Sequence, residues 1–232
     1  MTKRVGRAWF RRGLAVAPLL MLAGPTLCAA GDDEASVRAA LDRALAVNSG
    51  LVSYVAEVET EESRGRTVAE GPAARSVGPA RFKVHWAAPG KQHIERVGAA
   101  DTGPRRSLLT VDPAQVISKP DMRPAGALAR DMLGDREADI ASLESVDPRT
   151  GTVFRVTMWI DAKESYVLKL RSQWNYTELA TTTFQYKKVA GRYWLPSTVE
   201  THFPHDDLTV TNRYTYQRVN APVPPEVSER MR

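Results

Sequence analysis

Residues 153–160 (VFRVTMWI), 166–174 (YVLKLRSQW), 177–189 (TELATTTFQYKKV), 195–203 (LPSTVETHF) and 208–218 (LTVTNRYTYQR) are five runs in which apolar and polar side chains alternate. Successive side chains of a strand point to opposite faces, so alternation marks a strand with one buried and one wet face. Between the runs stand turn formers: Asp161-Ala162-Lys163-Glu164, Ala190-Gly191 and His205-Asp206-Asp207. Asn175-Tyr176-Thr177 matches a glycosylation sequon, but a tight connection between two strands explains it equally well. Short connections join antiparallel neighbours, so residues 152–219 predict an antiparallel meander of four or five strands.

Upstream, Phe82, Val84 and Trp86 alternate with Lys83 and His85, and Ala88-Pro89-Gly90 turns the chain back through Ile94 and Arg96. Val52, Tyr54, Ala56 and Val58 mark another strand. Short strands are expected at 107–111 and 115–118, punctuated by Asp112-Pro113 and Lys119-Pro120. Residues 63–79 hold few large apolar side chains and read as a loop. Helical spacing occurs in two places. Val37, Ala40, Leu41, Ala44 and Leu45 follow the acids Asp32, Asp33 and Glu34 and stop before Gly50, which predicts one amphipathic helix. Between Pro124 and Val146, Leu128, Met132 and Leu133 before Gly134, then Ile140 and Leu143 after it, predict two short helices. A long antiparallel sheet with one apolar face and few helices must curl over those helices to bury that face. The fold class is therefore α+β, mainly antiparallel β: an unclosed, curved β-barrel covered by a few short helices. It occupies residues 31–220 as one domain, and residues 221–232 form a Pro-rich tail expected to lie extended on the surface.

Composition fits this: 232 residues with 43% hydrophobic and 25% charged side chains are globular, neither low-complexity nor disordered. The formal charge of +5 suggests nucleic acid until it is located. Lys3, Arg4, Arg7, Arg11 and Arg12 precede every acid, and without them the chain has as many basic as acidic residues, 27 of each. A nucleic-acid partner thus loses its support. Those five head a fifteen-residue apolar run, Gly13 to Leu27, followed by Cys28-Ala29-Ala30. This is the build of a cleaved signal peptide over residues 1–30, too short to span a bilayer, and it exports the mature chain, into the periplasm if the resemblance given below holds. Export through the general or the twin-arginine route fits the leader. Lipidation of Cys28 would make the protein a membrane-anchored lipoprotein instead, although Leu27 stands where a small residue is expected. Cleavage near Ala30 removes the only cysteine, and with it any disulfide, thiolate catalyst or cysteine metal site.

No nucleophile signature or phosphate-binding glycine motif occurs, and no catalytic residue, metal site or cofactor is expected. His202 and His205 lie close together, but Pro204 breaks the element between them, which favours a solvated turn. Asp112 and Asp161 end strands and precede turns, where an aspartate commonly bonds its own backbone. A catalytic carboxylate would look the same. The apolar sets Phe82/Val84/Trp86, Phe154/Val156/Met158/Ile160 and Leu128/Met132/Leu133 are plain core or the walls of a greasy cavity between sheet and lid.

Met158-Trp159-Ile160-Asp161, Tyr166-Val167-Leu168-Lys169-Leu170, Thr183-Phe184-Gln185-Tyr186-Lys187-Lys188-Val189 and Trp194-Leu195-Pro196-Ser197 together resemble the LolA-like superfamily. Its members are periplasmic outer-membrane lipoprotein-sorting proteins and relatives that include the LolB receptor and the N-terminal domain of RseB/MucB stress sensors. The resemblance implies a half-barrel whose concave face holds the acyl chains of a lipid or lipoprotein. It assigns acyl contact to Tyr54, Phe82, Val84, Trp86, Leu128, Met132, Met158 and Ile160. It also implies a monomer that meets an inner-membrane release complex or an outer-membrane receptor. Two alternatives remain: a stress sensor of the RseB type, which would need a C-terminal domain that the residues after Val219 are too few to form, and a hydrolase on the same shell.

Overall fold

The alternating runs become strands and the turn formers between them close hairpins in a computed structural model, which describes residues 30–65, 79–98 and 112–231. The leader with Cys28, the strand expected at 107–111 and most of the expected loop at 63–79 lie outside the described residues. In chain order come α1 (Ala30–Ala46), β1 (Ser53–Arg64), β2 (Ala80–Ala87), β3 (Lys91–Val97), α2 (Pro113–Ile117), β4 (Arg123–Pro124), β5 (Ala129–Leu133) and β6 (Arg136–Val146). The meander follows as β7 (Val153–Asp161), β8 (Val167–Trp174), β9 (Thr177–Val189), β10 (Tyr193–Phe203) and β11 (Leu208–Val219), and α3 (Pro225–Ser228) ends the chain.

All strands join one antiparallel sheet of 11 strands in the order β3-β2-β1-β11-β10-β9-β8-β7-β6-β4, with β5 paired to β6. Its two ends do not pair with each other, so the barrel is unclosed. The fold is the mainly antiparallel α+β half-barrel that the alternation predicted. Asn175 and Tyr176 form the two-residue β8–β9 loop, both at positive φ (46° and 64°), which matches the twist of a hairpin. The Asn175 side chain holds that loop by accepting from the Val153 N–H at 2.9 Å.

The core lies between α1 and the concave face. Val37, Ala40 and Leu41 pack there against Ala56 and Val58 of β1, Val84 of β2, Met158 and Ile160 of β7, and Phe184 of β9. An ion-pair cluster fixes α1 across the sheet: the buried Asp139 carboxylate of β6 accepts from Arg43 of α1 at 3.1 Å and from Arg130 of β5 at 2.9 Å.

Three expectations are corrected. Residues 124–146 are not helical but a hairpin: Leu133 pairs with Arg136 across Gly134-Asp135, and Gly134 takes φ +66°. Leu128 and Met132 are four apart, a spacing that falls on one face of either a helix or a strand, so it cannot separate the two. Asp139, Ala141 and Leu143 carry the true signal, an alternation that is almost fully buried. Residues 115–118 are no strand, because Asp112 caps and Pro113 opens α2; the dipeptide read as punctuation is a helix start. The tail is not wholly extended, since α3 buries Val227.

Candidate functional site

A cavity of about 220 Å³ lies between the helices and the middle of the sheet. Its roof is the end of α1 with the residues after it (Ala44, Leu45, Val47, Asn48) and α2 (Pro113, Ala114, Ile117). Its floor is Tyr54 of β1, Trp86 of β2, Tyr186 of β9, Leu195, Pro196 and Val199 of β10 and Tyr214 of β11, with Tyr166 and Val167 at one side. The wall is mostly apolar and aromatic. At ~30 Å³ per water the space equals about seven waters, below the roughly 300–1,000 Å³ of a drug-sized ligand pocket.

Beneath the cavity, β10 and β11 part company. Their ladder runs only from Thr198↔Arg213 to Phe203↔Leu208. At Pro196, which has no N–H to donate, the β9–β10 register also slips. Side chains take over the freed backbone: Tyr216 donates to Pro196 O at 2.9 Å and Lys187 to Tyr214 O at 3.0 Å. Nearby, the Asn48 amide bonds both the Trp194 C=O (2.8 Å) and its N–H (3.0 Å), as a neighbouring strand would, and so ties the end of α1 to the sheet.

α2 is held by partly buried Val116 and Ile117, which pack on the core, and by two polar contacts. No residue within it is buried. Gln115 donates to Gly90 O at 2.7 Å, across a glycine at φ +73° where an added Cβ would stand 3.0 Å from the Gln115 amide nitrogen. The second hold is Asp112, whose carboxylate accepts from the Ala114 N–H at 2.9 Å and from the Trp86 indole on the floor. Burial pushes the Asp112 carboxyl above the usual carboxylate range, against those hydrogen bonds. Burial likewise raises the hydroxyls of Tyr54, Tyr186 and Tyr214, and the charge of Asp112 adds to the rise in each. All four groups line the same cavity.

Of the sequence-predicted contacts, Tyr54 and Trp86 line the cavity, their rings stacked at 5.3 Å. Val84, Met158 and Ile160 are fully buried core behind it, and Phe82 and Leu128 pack partly buried against that core. Met132 sits on β5, 57% exposed, and is no part of the cavity; with the helix it was placed on goes its role as an adaptable wall. Sequence reasoning missed Tyr186 and Tyr214, although both lie in phase with the inward Phe184 and Asn212, and it took Asp112 for a turn residue. No group of three or more His, Cys, Asp or Glu gathers among the described residues. His205 is in an exposed turn, and Asp161 bonds the N–H groups of Lys163 and Glu164, as its place after a strand suggested.

One histidine outside the cavity sets a pH expectation. His85 on β2 is buried, and neither ring nitrogen has a partner. Burial first, then Lys83, push its pKa below the ordinary 6.5; Glu95 opposes them and His93 adds a little to the fall. A depressed folded pKa favours the neutral ring, so the associated stability is present above pH ~6.5 and is lost as the pH falls through the lower folded value. Urea denaturation of wild type and His85→Phe at pH about 7.5 and about 5 should show a smaller loss on acidification in the variant. Equal losses would contradict the neutral buried ring.

No protein-family model matches the chain, and no curated protein matches it by sequence. Solved structures do match by shape. A LolA superfamily protein from Nitrosomonas europaea is 12% identical, superposes with a TM-score of 0.56 and is matched over 82% of this chain and 96% of its own. A domain assigned to an outer membrane lipoprotein-sorting protein from Vibrio parahaemolyticus gives 15%, 0.53, 82% and 94% in the same order. A DUF1329 family protein from Desulfovibrio piger gives 13%, 0.51, 81% and 95%. The chain thus has the LolA-like fold.

Proposed function

We propose that the protein is an exported carrier of the bacterial envelope that holds the acyl part of a lipid or lipoprotein beneath α1 and α2. The observation that carries this is the aromatic and apolar cavity at the parting of β10 and β11, roofed by α1 and α2. The LolA-like fold and the signal-like leader support it. Each methylene withdrawn from water contributes ~0.8 kcal/mol, so a chain of ordinary length binds tightly once the roof lifts. Uptake then requires α2 to leave Trp86 and Gly90. Release requires the same movement, or transfer to a receptor that binds more tightly. On this reading the cargo comes from an inner-membrane release complex and passes to an outer-membrane receptor, and the protein binds without catalysing. The test is mass spectrometry of lipid extracted from protein purified out of its native envelope. An acyl lipid near one per chain is expected; protein free of lipid that also takes up no acyl probe would defeat the proposal.

A further inference from the structure

Resting on that reading, the geometry points to the kind of amphiphile the cavity takes: we propose that its cargo carries a protonated amine, held at Asp112. Among the described residues lining the cavity, Asp112 is the only one with a formally charged side chain, and there is no Lys, Arg or His. Arg43, the nearest cation on the α1 roof by sequence, is engaged with Asp139. A ligand carboxylate or phosphate beside Asp112 would meet a like charge. An ammonium meets the opposite.

The donors and acceptors agree with this. A carboxylate offers about four lone-pair sites; that of Asp112 accepts from the Ala114 N–H at 2.9 Å and has the Trp86 indole as a partner, while the Gln115 N–H bonds the Asp112 backbone oxygen at 3.1 Å. Sites therefore remain for a donor from a ligand. Around it stand Tyr54, Tyr186 and Tyr214, whose hydroxyl oxygens accept and whose rings, with that of Trp86, offer π faces to a cation. The other polar and aromatic groups that line the cavity with Asp112 include Asn48 of the α1 roof, Tyr54, Trp86, Gln92, Tyr186 and Tyr214, none of them cationic, and the Lys187 ammonium beside them is engaged by the Tyr214 C=O at 3.0 Å. Burial disfavours the bare carboxylate, and a bound ammonium supplies the charge that restores it.

Three probes of one chain length, dodecylamine, dodecanol and dodecanoate, separate charge from apolar fit when their affinities are measured below their micellar concentrations at neutral pH. Wild type should bind dodecylamine roughly tenfold or more tightly than dodecanol, as a charge-assisted hydrogen bond in a shielded site gives, and dodecanoate least. Asp112→Asn keeps the helix cap, because Asn caps as well as Asp, so its melting should stay near wild type. It should bring dodecylamine down to the affinity of dodecanol measured in the same variant, the ratio of the two being the readout because Asp112 also holds α2. Dodecanoate binding as tightly as dodecylamine in wild type, or an Asn variant that keeps the amine preference, would overturn the inference while the acyl-carrier proposal stands. The wild-type ranking alone tests it if the variant does not fold. A wild type that binds none of the three would overturn both.

Discussion

Met158→Ala is expected to destabilise the fold by ~2–5 kcal/mol in urea denaturation and to leave acyl affinity of the folded protein unchanged. Met158 is 0% exposed and is the largest of the fully buried side chains. It sits on the concave face of β7 between Ala141 of β6 and Leu170 of β8, beneath α1. Truncation there removes the transfer free energy of the side chain and leaves a hole that neighbours on three strands cannot close. Met132→Ala is the contrast: the same substitution at a 57% exposed position on β5 should stay within ~0.5 kcal/mol of wild type. If Met158→Ala kept its stability and lost acyl binding instead, Met158 would belong to the cavity wall and the division between core and site drawn here would be wrong.

The meander was legible because its signal is redundant. In β7 to β11 the alternation, the turn formers and the strand lengths all agree, and the expected bounds meet the observed ones within two residues, with Thr177–Val189 identical. The hairpin β5–β6 was not legible, because Leu128 and Met132 share a spacing common to helix and strand, and its buried partner Asp139 looks like a surface acid until Arg43 and Arg130 are brought to it from elements 96 and 9 residues away. The same holds for the cavity. Alternation tells that Tyr54, Val84, Trp86, Met158 and Tyr186 point inward, but not which inward positions the helices leave uncovered. That depends on where Pro196 parts β10 from β11 and on α2, whose Asp112-Pro113 start appeared as a loop. Two of the eight expected contacts, Tyr54 and Trp86, line the space; five are core or packed on it, and one lies outside.

The second large effect comes from filling the space. Ala44 faces the cavity from the last turn of α1, where the methyl group borders a volume of about 220 Å³. Tryptophan at this position finds room for its indole in the cavity itself and needs little repacking of the core beneath Val37, Ala40 and Leu41. The helix tolerates it at a propensity cost of at most ~0.7 kcal/mol. Stability should therefore stay close to wild type, whereas the acyl chain loses its place and binding should weaken roughly a hundredfold, the equivalent of ~3 kcal/mol.

A fluorescent fatty-acyl alcohol titrated into wild type and into Ala44→Trp, with melting curves on the same samples, tests the cavity most directly. Saturable binding by wild type and its loss in an Ala44→Trp variant that melts like wild type is the predicted result; equal binding by both proteins would show that acyl chains do not occupy the space beneath α1 and α2.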